Sequence, residues 1–229
     1  MAVPQMRADT VLFNLAGGPS SGAGTASFTY TALSTSGLTD SLTINGYACY
    51  NSSGNSVSQC IDAATYNDST SHTATLGTAG GGLEMSSGEI PQNDFVQVDF
   101  SGLTKQGFTI TSVKVTMVDV IDGWDIYGSA VKGELASAST TPLSQGTDGT
   151  GGTSNINSNY PTSLATTISA TSSWAIPNYL SITALQTDCH TEVASISVTY
   201  STPEPATFVL MGFALVGMGI AGKKLRRRS

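Results

Sequence analysis

Residues 193–200 read VASISVTY, and their reading decides the fold. Ala194, Ile196, Val198 and Tyr200 alternate with Ser195, Ser197 and Thr199, the period-two signature of a strand with one face on a core and one towards water. The same period recurs upstream. Val113, Val115 and Met117 alternate with Ser112, Lys114 and Thr116. Val96, Val98 and Phe100 point one way while Gln97 and Asp99 point the other. Ser27–Leu33, Leu42–Tyr47, Trp124–Ala130 and Tyr179–Leu185 are further predicted strands. Gly17-Gly18-Pro19, Asn45-Gly46, Gly80-Gly81-Gly82 and Asp122-Gly123 carry turn chemistry between them. About eight strands with such turns predict an all-β, antiparallel β-sandwich body of jelly-roll type. The polar stretches 16–26 and 146–159 read as long surface loops.

Composition agrees. Of the 229 residues only 11% are charged, and 25 glycines and 8 prolines favour strands and turns over helices. The net charge of −7 hides an asymmetry. Lys223, Lys224, Arg226, Arg227 and Arg228 crowd the last seven positions, leaving residues 1–222 with four basic and sixteen acidic groups, a net of −12. A body of that charge repels phosphate backbones, which argues against nucleic acid as a partner.

The C-terminus, residues 203–229, is PEPATFVLMGFALVGMGIAGKKLRRRS. It has three parts: Pro203-Glu204-Pro205, an uncharged apolar stretch 206–222, and a basic tail 223–229. At ~1.5 Å per residue the middle part spans about 25 Å as a helix, the short end of what crosses a bilayer. It has no polar face, so a single transmembrane helix is expected, with the basic tail on the cytoplasmic side. Two prolines around Glu204 keep the backbone ahead of the membrane extended and stop the helix from propagating upstream.

This ending resembles the PEP-CTERM sorting signal. The resemblance covers about an eighth of the chain. It implies recognition of Pro203, Glu204 and Pro205 by a membrane-embedded exosortase, removal of the helix, and transfer of the body to the cell surface or an exopolysaccharide matrix. Lys223, Lys224 and Arg226–Arg228 would be the topological stop. A plain single-pass anchor is the alternative. The runs Val96–Leu103 and Asp122–Ser129, and the late strand pair leading into Pro203, resemble bodies joined to such signals; that bears on the fold and not on an activity. The expected organisation is therefore 1–8, the remnant of a signal peptide whose start was set too late; 9–201, the extracellular β-sandwich; and 202–229, the sorting signal.

Little in the body reads as chemistry. Cys49 and Cys60 flank a polar loop and are a candidate disulfide, leaving Cys189 over; three free thiols are the alternative. No cofactor motif is present. Asp119, Asp122 and Asp125 form D-x-x-D-x-x-D beside a Gly turn, a candidate calcium site whose alternative is a solvated acidic turn. Glu84, Glu89, Asp94, Asp119 and Asp125 supply acids for a polysaccharide-active hydrolase, with no pair preferred by sequence. Neither His72 nor His190 lies in a nucleophile-elbow or HExxH context. Trp124, Tyr127, Tyr160 and Trp174 could stack on sugars; Trp124 and Ile126 read as core, and Tyr127, on the opposite strand face, as the exposed aromatic. The sequence reading is a non-catalytic exported surface or matrix protein, whose partners are an exosortase, the membrane and extracellular polysaccharide. A secreted carbohydrate-binding module and a hydrolase are the alternatives.

Overall fold

The computed structural model describes residues 7–18, 25–48, 75–79, 82–85, 90–91, 94–118, 123–135, 142–146, 165–173, 175–184 and 190–202. Their elements are β1 (Arg7–Asn14), β2 (Ser27–Leu33), β3 (Thr39–Ala48), β4 (Leu76–Ala79), β5 (Gly82–Met85), β6 (Ile90–Pro91), β7 (Asp94–Asp99), α1 (Ser101–Lys105), β8 (Thr109–Val118), β9 (Trp124–Ser129), β10 (Ser144–Gly146), β11 (Ala165–Ser169), β12 (Tyr179–Ala184) and β13 (His190–Thr202).

Two antiparallel sheets result. The first runs β11-β8-β13-β5-β4, with β1 and β6 also pairing to β13; the second runs β10-β9-β12-β7-β3-β2. Within them β1-β13-β8-β11 faces β7-β12-β9-β10, the strand layout of a jelly roll. The β2–β3 hairpin widens the second sheet.

The alternation read from sequence is what puts a core between the sheets. Val113, Val115 and Met117 of β8 and Ile196, Val198 and Tyr200 of β13 meet Val96, Val98, Ile126, Leu180 and Ile182 of the second sheet in one buried cluster. Each such side chain, fully buried, contributes roughly 1.5–3 kcal/mol. The C-terminal strand is the most tightly held: β13 pairs with β8 on one side and, from Ser195 to Thr202, with β1 on the other.

Two expectations need correction. A β-bulge between Val193 and Ser195 shifts the phase of β13, so Val193 rather than Ala194 is in the core. Asn45-Gly46 is not a turn; both residues pair with β7 in the middle of β3. Strand β1 includes Arg7 and Ala8, opposite Thr202 and Ser201. Finally, a one-turn helix, α1, links β7 to β8. Leu103 anchors it in the core, and it ends at Gly107, whose φ of 82° suits glycine.

Among the described residues no helix is long and apolar enough to cross a membrane; the predicted span 206–222 lies outside them.

Candidate functional site

The outer faces of the two sheets are the candidate surfaces, and register fixes what each displays. On the first sheet, Thr10, Thr199, Ser112 and Ser169 stand in one row across β1, β13, β8 and β11. Leu12, Ser197, Lys114 and Thr167 form the next row, and Asn14, Ser195, Thr116 and Ala165 the third. None of these side chains is buried. Hydroxyls dominate, Thr10 and Thr199 sharing a hydrogen bond of 3.2 Å.

The second sheet's outer face is polar too; its β9-β12-β7 part is buried, while Ser27, Thr29 and Thr31 on β2 stay exposed. Tyr127, Ser181, Gln97 and Asn45 align across β9, β12, β7 and β3, all buried. Of these, Gln97 is bonded to the segment 130–135. Gly133 N donates to Gln97 Oε1 (2.9 Å), and Gln97 Nε2 donates to the Glu134 carbonyl (2.8 Å) and to Ser181 Oγ (3.1 Å). Gly133 has φ of 85°, a conformation that costs glycine little and other residues more. Beside this row Asp125, fully buried, accepts from Gln145 Nε2 (2.7 Å) and Tyr127 OH (3.3 Å). Burial pushes its carboxyl up to about 6, against the pull of those two donors. The rings of Tyr47 and Phe95 stack at 5.1 Å, also buried.

A second polar network sits where the first and last strands meet. Asp9, on β1, is buried and accepts from Thr10 N (2.9 Å), Ser36 N (3.0 Å) and the hydroxyls of Thr35 and Ser36. Burial alone would raise its carboxyl; the hydroxyls of Ser36, Thr35 and Ser34 more than offset that and hold it well below the usual carboxylate range. Tyr200, the register partner of Asp9, donates its hydroxyl to Asp40 Oδ2. Burial pushes the Asp40 carboxyl up, and its Oδ1 is buried without a hydrogen-bond partner.

Against this geometry the sequence-predicted residues fall as follows. Pro203, Glu204, Pro205, Lys223, Lys224, Arg226, Arg227 and Arg228 lie outside the described residues, as do Cys49, Cys60, Cys189, Asp119, Asp122, Glu89, His72, Tyr160 and Trp174. Asp125 is described. It is not on a solvated turn: both its oxygens are engaged by side chains within the buried part of the second sheet's outer face. Among the described residues no group of three or more His, Cys, Asp or Glu converges on a metal position. Tyr127, expected to be exposed, is buried, as is Gln97, which is bonded to the 130–135 segment. Trp124 and Ile126 are core, as read.

The described hydrolase candidates do not meet. Asp94 shares the strand parity of Val96 and Val98 and so sits on the other side of the sheet from Asp125, while Glu84 belongs to the first sheet. Burial pushes Asp94 up to about 6. Sequence reading missed Glu192, which the pairing of Leu83 with Val193 brings beside Glu84; both are buried within the fold. It also missed Asp9 and Asp40, whose partners are distant in sequence.

Fold and faces together define the class: a two-sheet antiparallel β-sandwich protein with one open outer face and one partly covered. No family model, no curated protein and no solved structure matches the chain.

Proposed function

We propose that this chain is an exported, non-catalytic surface or matrix protein, delivered by a PEP-CTERM-type signal and released from it by an exosortase-type enzyme. One observation carries the reading. The last body strand is paired on both sides almost to its end, Arg7 opposite Thr202, and Pro203 follows at once. Cutting after the strand removes the apolar stretch 206–222 and leaves every pairing of β13 among the described residues in place. The extended Pro203-Glu204-Pro205 peptide is then a spacer between folded body and bilayer, where a membrane-embedded enzyme can reach it. The acids support the same reading. Of those named as hydrolytic candidates, Asp125 is locked into a buried hydrogen-bond network, and no two of the described ones share a face.

The experiment is a triple substitution, P203A/E204A/P205A, in the source cell. The expected outcome is an unprocessed full-length chain accumulating in the inner membrane while the unsubstituted protein reaches the surface. Normal surface delivery of the triple variant would refute the assignment of the motif.

A further inference from the structure

The open face of the first sheet carries little charge. The chain ahead of the basic tail carries a net of −12, yet the twelve outward positions on β1, β13, β8 and β11 contain no acid and one base, Lys114. Eight of the twelve are serine or threonine. Their spacing is that of the sheet itself, ~4.8 Å between strands and ~6.7 Å between alternate residues along a strand.

From this face we infer a docking surface for a neutral, extended polysaccharide, an inference that rests on the surface or matrix location proposed above. A hydroxyl both donates and accepts, so a Ser/Thr grid can match sugar hydroxyls in either sense. Short side chains lose little rotamer freedom when a ligand lands on them. Each contact is small, so useful affinity needs many at once, which selects a long polymer over a free sugar. Side-chain length selects the same partner, because eleven of the twelve positions carry side chains no longer than leucine and leave an extended chain free to lie along the strands. Charge selects a neutral one: the acidic body repels polyanions, and this acid-free patch is where an uncharged chain desolvates fewest ions. A protein partner would want an apolar, aromatic centre, and the grid offers one exposed apolar side chain, Leu12.

The test uses the full-length protein and microcrystalline cellulose as the neutral extended glucan, with alginate as the polyanion and an ice-affinity column as the non-sugar lattice. Co-sedimentation with cellulose is expected. The double variant S112E/S197E, which puts two carboxylates in the grid, should lose about tenfold in retention. T31E on exposed β2 should not, and all three proteins should melt alike. Wild-type retention by S112E/S197E would overturn the inference. So would capture by ice or alginate and not by cellulose, or capture by none of the three. Sedimentation in vitro does not depend on sorting. A protein correctly delivered but not retained by cellulose removes this inference alone; one retained by cellulose but never at the surface removes the earlier reading alone.

Discussion

The outer face of the first sheet and the β9-β12-β7 part of the second sheet's outer face are both polar in sequence and opposite in fate. On the first the polar residues are mostly short hydroxyls that stay open to water. On the second they are larger buried groups, Gln97 bonded to the 130–135 segment and Asp125 to Tyr127 and Gln145. Polarity opposite a core face therefore does not decide exposure. What decides is whether a neighbouring segment brings donors and acceptors that satisfy the polar groups once water is gone.

The strongest way to break that contrast is Gln97→Ala. It removes three hydrogen bonds at once, taking from the Gly133 amide its Gln97 acceptor and leaving the Glu134 carbonyl with Ser181 Oγ at 3.4 Å. A loss of about 3–4 kcal/mol is expected in denaturant unfolding. A cost below about 1 kcal/mol would mean that the strap does not depend on this side chain.

The next effect is a pH dependence. Asp125 titrates in the folded state at about 6, above the ordinary 3.8. A raised folded value means its contribution is complete below the unfolded value and is lost as pH rises through about 6. Asp125→Asn should therefore match the parent near pH 4 and exceed it by about 2–3 kcal/mol at pH 8. Asp9 has the opposite sign. Its carboxyl is held low, so the stability it gives is present above the unfolded value and is lost on acidification. In Asp9→Asn the acid-side decline in thermal midpoint should flatten. The smallest effect belongs to the open face: Ser112→Ala and Ser197→Ala should each change stability by under about 0.5 kcal/mol.

The sequence made the core legible and the covered face illegible, for a physical reason. A strand's inward side is written locally, as alternation, and so β7, β8, β9, β12 and most of β13 could be read residue by residue. Gln97 carries no local mark of burial, because its partners arrive from residues 130–135, and Tyr127 alternates with core residues like any outward side chain. Strand β1 escaped because exposed Leu12 interrupts its alternation with Val11 and Phe13. At Asn45-Gly46 a strong turn pair is overridden by pairing to β7 along its whole length. The calcium reading of Asp125 failed to foresee the fold's own donors, Gln145 and Tyr127, taking up its oxygens. Asp9 went unnoticed because its hydroxyl donors, Thr35 and Ser36, come from the turn between β2 and β3, 26 and 27 residues further on.

The most direct test of the whole account is the intact mass of the protein recovered from the cell surface. Removal of the chain from about residue 203 onward, with residues up to Thr202 retained, is the predicted result. A surface form that still carries Lys223 to Ser229, or a full-length chain confined to the cytosol, would contradict it.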